Sequence, residues 1–175
     1  GDVTAWSTMR RNEVIDDYAR LQQYLDLENY ADYMLLQFYG GNDWDWNTEQ
    51  NWMAARRREP GAGYIFFAWD SDVILRTTAN ANVISRGGPG QLWSILGGVK
   101  QHPEFLLMMA DRAERYFFGD GMFSDERLRA DISQMAEQIR LPMIAESARW
   151  GGAANDWFNF RRRAVHLWLD DAGEF

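Results

Sequence analysis

Cysteine is absent from these 175 residues, which removes disulfides and thiolate-held metals while leaving the compartment open, since cytosolic and exported proteins alike can do without it. Lysine occurs once, as Lys100, so nearly all positive charge is arginine, and the net charge is −8. A free-standing nucleic-acid binder needs a basic face to neutralise phosphates, and this composition disfavours one. Two histidines, His102 and His166, lie far apart in sequence and argue against a histidine metal site. The longest apolar runs, such as "YIFFAW" and "FLLMMA", are too short to cross a bilayer. There is no Gly-x-x-x-x-Gly-Lys-Ser/Thr loop, which excludes the P-loop class, and "GGPG" at 87–90 lacks the strand-then-helix frame of a phosphate cradle. Ser85 and Ser147 have no neighbouring histidine pattern that would make either a nucleophile. The chain opens at Gly1 with neither methionine nor apolar leader, which reads as a processed or trimmed product.

What is present is an ordinary globular balance, 46% hydrophobic and 25% charged, with an excess of aromatics that includes nine tryptophans. The length predicts a single domain over 1–175, or one lobe of something larger. Val14, Ile15, Tyr18, Leu21 and Leu25 recur at three- and four-residue steps and predict an amphipathic helix from Asn12 to about Tyr24. Asp26 reads as the N-cap of a second helix that ends at Gly40 and Gly41. Two apolar runs flank Glu59-Pro60-Gly61-Ala62-Gly63 and predict a β-hairpin with a five-residue connection. Its second strand, Tyr64 to Trp69, is apolar on both faces, predicts burial, and delivers Asp70 and Asp72 to its end. Residues 77–91 read as a long loop, of the kind that is often functional. Helices follow from Gln91, from His102-Pro103 and from Ser124-Asp125, and the tail from 156 onward predicts one more. The expected fold class is α+β, mostly α-helical, with one small hairpin.

The chemistry concentrates in "GGNDWDWNTEQNW" and in the strand end after it. Asp45, Asn51 and Asp70, two carboxylates and an amide separated by one hairpin, can converge because a hairpin returns the chain to its starting edge. Such oxygen ligands suit magnesium, which takes one or two carboxylates and completes its octahedron with water and substrate phosphate. In kinases an aspartate accepts the hydroxyl proton, an asparagine a few residues on binds metal, and a later aspartate bridges metal to phosphate. The same residues are also what a plain Asx-turn loop would contain, with tryptophans packed under it.

"YGGNDWDWNTEQNWMAARRREPGAGYIFFAWDSD" resembles the spore-coat protein H kinase family (CotH kinases), which carries an Asn-x-Asp-Trp segment, an Asn-Trp strand, a hairpin and a Phe-x-x-Trp-Asp strand end. "PGQLWSILGGVKQHPEFLLMMADRAERYFFGDGMFSDERL" and "IAESARWG" are also similar to the family, so that the resemblance spans roughly residues 15–152. It implies an atypical protein-kinase-like C-lobe that transfers phosphate from ATP to protein hydroxyls with Mg2+. On that resemblance Asp45 is the catalytic aspartate, and Asn51 and Asp70 hold the metal. Asp43-Trp44 offers a second Asp-Trp pair, and the step from Asp45 to Asn51 is one residue longer than in the commoner family pattern. The family places an ATP-holding lobe with a phosphate-binding lysine ahead of this region, whereas Lys100 comes after it. The chain therefore reads as the catalytic-loop and helical half of such a kinase, a fragment or reduced relative that is inactive alone if it lacks the other lobe. The resemblance also implies export or a spore surface, and a protein substrate with hydroxyl acceptors.

Among the arginines, Arg76 and Arg86 follow Asp70 closely and are the better candidates for contacting the nucleotide phosphates. The runs Arg56-Arg57-Arg58 and Arg161-Arg162-Arg163 are of a kind that is usually a solvated face. The rival to a kinase is a non-catalytic surface or carbohydrate-binding module on the same scaffold, with Trp44, Trp46 and Trp52 as an exposed stacking platform. Trp69, Trp93 and Trp168 are expected in the core.

Overall fold

In the computed structural model, residues 3–42, 46–48, 50–71, 74–75, 82–84, 88 and 90–150 are described. The element order among them is α1 (Val3–Met9), α2 (Asn12–Ile15), α3 (Tyr18–Leu21), α4 (Leu27–Tyr39), β1 (Trp52–Ala55), β2 (Ile65–Ala68), α5 (Gln91–Val99), α6 (Pro103–Phe117) and α7 (Asp125–Trp150). The class is α+β and mostly helical, with one two-stranded antiparallel sheet. The chain divides into two compact units, one of residues 1–74 and 82–113 and the other of 75–81 and 114–175.

In the first unit, the helix expected over 12–24 is two short helices instead. Asp17 breaks it, because its carboxylate accepts from the Arg20 N–H at 3.0 Å and so starts α3 afresh. The apolar residues keep their inward positions all the same, with Val14, Ile15, Leu21 and Leu25 all buried. Asp26 caps α4 as expected, accepting from the Asn29 N–H at 2.9 Å, and Gly40 closes the helix with its N–H on Leu36 O. Tyr30, Tyr33 and Met34 of α4 face Phe66 of the hairpin, Leu92 and Ile95 of α5 and Phe105 of α6, and these residues make up the core. The Tyr30 hydroxyl, fully buried, donates to Leu92 O at 2.9 Å. Arg112 on α6 forks onto Asp32 of α4 through Nε and Nη2, at 2.5 and 2.6 Å, a planar pairing that fixes orientation as well as distance. His102, at the start of α6, places a ring nitrogen 2.6 Å from Ile15 O, a structural role in line with its position.

The hairpin pairs Trp52 with Ala68, Met53 with Phe67, Ala54 with Phe66 and Ala55 with Ile65. The connection runs over 56–64, longer than the five residues expected, because Tyr64 leaves the ladder to bridge to Leu25. Strand alternation then sends Trp52, Ala54 and Phe66 toward the core, and Met53 and Phe67 to the other face, where they are 52% and 46% exposed. β2 is therefore not buried on both faces, and Trp69, expected in the core, is 61% exposed. The reason is that a two-stranded sheet with a helix on one side leaves its other side without a cover among the described residues.

In the second unit, α7 runs 26 residues with Pro142 inside it. Acidic residues fill its first turn, where they oppose the positive end of the helix dipole, and Arg129–Asp125 and Arg127–Asp131 add i,i+4 pairs at 2.7 and 3.1 Å. Phe117 stacks on Phe123 at 5.7 Å across the turn that leads into it. No helix among the described residues is long and apolar enough to cross a membrane. The tail, with Arg161 to Arg163, His166 and Trp168, lies outside the described residues.

Burial pushes the Tyr30 phenol well above its usual 10.0, and Tyr33 beside it adds to the shift. The folded state thus favours the neutral phenol, whereas the unfolded chain ionises near 10.0, so this stabilisation is complete below pH 10.0 and is lost as pH rises beyond it. Thermal melts should show the midpoint falling above pH 10.0, with the Tyr30 share of the phenolate absorbance appearing only on unfolding. In Tyr30→Phe the phenolate signal gained on unfolding should be smaller by one tyrosine, at a cost of about 0.5–1.5 kcal/mol for the lost hydrogen bond to Leu92 O. Ionisation of Tyr30 in the folded protein would contradict this account of the core.

Candidate functional site

The stretch that opened the question of function is pinned at two points. Beyond Gly41, which takes a left-handed φ of 64°, Asn42 is buried and clasps Gln37, with its N–H on Gln37 O at 3.0 Å and its amide on Gln37 Oε1 at 2.7 Å. Trp46 is fully buried, its indole N–H donating to Asn42 O at 2.5 Å and its rings lying edge-on to Phe38 and tilted on Trp93, each 5.7 Å away. Trp46 therefore cannot belong to an exposed platform. Its burial fixes the loop rather than presenting a surface, because an indole with its one donor satisfied is most stable in the core. Asp43 and Asp45 lie between these two fixed points in sequence and outside the described residues, as does Trp44.

The next support is glycine. Gly90 N–H donates to Asn47 O at 3.0 Å, and a Cβ built on Gly88 would fall 1.7 Å from Asn47 Oδ1. Gly88 and Gly90 thus let two backbones approach at the loop that carries the candidate residues. Nothing in the local pattern marks this, because the contact joins residues some forty positions apart in the chain.

The ladder then places the candidate metal ligands. Asn51 immediately precedes β1 and Asp70 follows β2 by two residues, so the pairing of Trp52 with Ala68 brings both to the same open end of the hairpin. Both have left-handed backbones, φ 52° for Asn51 and 51° for Asp70. Non-glycine residues there are uncommon, and asparagine and aspartate tolerate the region best. Asp70 is exposed and Asn51 half-buried. Among the described residues no three His, Cys, Asp or Glu side chains gather in a way that could hold a metal ion. The expected ligand set has only two carboxylates, one of them Asp45, and an amide. Arg76, Arg86 and Asp72 also lie outside the described residues. Lys100 sits at the end of α5 with its ammonium 5.2 Å from the Trp93 ring centre.

One residue that sequence reasoning missed is Trp6 of α1. It stacks on Trp52 at 5.7 Å and donates its indole N–H to Gln91 Oε1 at 2.6 Å, an acceptor shared with Arg10 at 2.7 Å. No short-range signal ties it to the hairpin; only the long-range packing does. No protein-family model matches the chain, and neither a curated protein nor a solved structure matches it.

Because Gly88 meets Asn47 while a Cβ on Gly97 of α5 would meet nothing, alanine at the two positions should act in opposite directions. Gly88→Ala should cost about 1–3 kcal/mol through overpacking. Gly97→Ala should add about 0.5–1 kcal/mol through reduced backbone freedom in the unfolded chain and better helix propensity. Urea unfolding of both variants checks this, and a neutral Gly88→Ala would show that the loop is not held there.

Proposed function

We propose that the chain is the catalytic-loop and helical half of a CotH-like atypical protein kinase, which moves the γ-phosphoryl of ATP to a protein hydroxyl with Mg2+. The observation that carries this reading is the hairpin end that bears both Asn51 and Asp70, each in a left-handed backbone. Outliers of that kind persist where surrounding structure enforces them, and they cluster at ligand-holding sites. Asn51 and Asp70 would hold Mg2+ through an amide and a carboxylate oxygen, and the ion would neutralise charge on the nucleotide phosphates. Asp45 would orient the acceptor hydroxyl and take its proton as its oxygen bonds to the γ-phosphorus and the bond from that phosphorus to the β-phosphate oxygen breaks, with ADP leaving. Met53 and Phe67, paired across the ladder on its open face, offer an apolar patch next to that end on which a flat nucleobase can lie. Arg76 and Arg86 would neutralise the phosphates. A protein acceptor and a location outside the cell or on a spore surface belong to the same proposal.

Alanine at position 70 would add left-handed strain to the loss of charge, so the cleaner variant is Asp70→Asn, which tolerates the same backbone. Calorimetric titration with Mg2+ and ATP should show affinity for the metal lowered at least roughly tenfold in Asp70→Asn. Asp45→Asn should keep metal binding and lower phosphorylation of a protein acceptor by about 10²–10⁴-fold. Equal Mg2+ affinity in Asp70→Asn and the parent chain would remove this reading.

A further inference from the structure

A concavity of about 380 Å³ opens between α1 and the hairpin, lined by Val3, Trp6, Trp52, Arg56, Arg58 and Tyr64 together with the two alanines of β1. Its wall is aromatic. Trp6 stacks on Trp52 at an interplanar angle of 26°, Tyr64 meets Trp6 edge-on at 5.1 Å, and the Arg56 guanidinium lies over the Tyr64 ring at 5.6 Å. Two of its polar groups are donors without acceptors. The Trp52 indole N–H and Arg56 Nε are both buried and meet no hydrogen-bond partner among the described residues. Neighbouring groups of the same type are satisfied, since Trp6 Nε1 has Gln91 and Arg57 has Glu59 at 3.0 Å. Among the described residues neither Arg56 nor Arg58 has a carboxylate partner, although the chain has 26 acidic residues to 18 basic ones. A buried donor left unmade costs free energy that a bound acceptor recovers.

These observations together specify a ligand. Two guanidinium groups and an indole N–H call for an anion, and the planar fork of arginine matches a carboxylate. The cavity is too large and too apolar for a lone anion, and indole and phenol faces suit a ring with an apolar face. We propose that this cavity binds a carboxylate carried on a six-membered ring with an apolar face, with Arg56, Arg58 and the Trp52 N–H taking the carboxylate and the aromatic wall taking the ring. The ring belongs either to a uronic-acid sugar or to an aromatic acid, which share this chemistry. The site uses none of the residues proposed to hold metal or phosphate and does not depend on the kinase reading.

The test is titration of the full chain with glucuronate and with benzoate, followed by tryptophan fluorescence and by the Trp52 indole N–H resonance. Glucose, benzyl alcohol and inorganic phosphate are the controls. At least one acid should bind saturably and shift the Trp52 resonance, and its neutral counterpart and phosphate should bind roughly tenfold or more weakly. Whichever acid binds better identifies the source of the ring. Arg56→Gln and the exposed Arg58→Gln should each weaken binding by roughly tenfold, while Arg57→Gln and Asp70→Asn leave it unchanged. Should Arg56→Gln fail to fold, Arg58→Gln alone decides, since an exposed side chain carries no core packing. The proposal is overturned by an absence of saturable binding, by a neutral ring or phosphate binding as well as the acid, or by Arg57→Gln losing as much as Arg58→Gln.

Discussion

A two-stranded hairpin is barely stable by itself in water, so the site at its open end depends on whatever holds the hairpin to the rest of the unit. That role falls to one side-chain amide. Asn29, on the first turn of α4, accepts from the Phe66 N–H at 2.6 Å and donates to Phe66 O at 3.3 Å, standing in for a third strand along the outer edge of β2. The same residue pair is bracketed by packing, with Phe66 against Tyr30 at 5.2 Å and Tyr33 at 5.7 Å. Further along, Tyr64 N–H on Tyr24 O and Asp26 N–H on Tyr64 O continue the edge by backbone. Asn29 is itself placed by the Asp26 cap, so one N-terminal turn of helix both starts α4 and docks the sheet. The positions of Asn51 and Asp70 follow from this docking.

The parts of the fold legible in the sequence were those with a local physical cause. Asp26 as a cap, Gly40 as a stop, a Pro-Gly connection between apolar runs and the His102-Pro103 helix start each act within a few residues, and each stands where expected. The pattern of apolar residues over 12–25 identified which side chains are buried but not that Asp17 would split the helix, because a capping carboxylate and a helix-interior one look alike in periodicity. The tryptophans were harder still. Trp46 and Trp69 sit in similar aspartate-flanked, aromatic contexts, yet one is fully buried against Phe38 and Trp93 and the other, just past the end of β2, is mostly open, a difference set by long-range packing.

For the candidate site, legibility was uneven in the same way. That Asn51 and Asp70 share one end followed from the hairpin alone, a relation set by antiparallel pairing. The contact of Gly88 with Asn47 and the stacking of Trp6 on Trp52 join distant segments and leave no periodic trace. The arginine run shows the limit most plainly. Read as a solvated face, it divides in the fold: Arg57 turns outward to Glu59, and Arg56 and Arg58, two apart on an extended segment, line the cavity beside α1.

The left-handed backbone at Asn51 and Asp70 narrows the side-chain alphabet before any chemistry is considered. Glycine, asparagine and aspartate enter that region most readily, and glycine brings no donor atoms. The geometry of the strand ends therefore leaves a choice between a bare main chain and a short oxygen-bearing arm. A designer grafting this hairpin elsewhere would have to keep one of these three residue types at each strand end, whatever the graft is for.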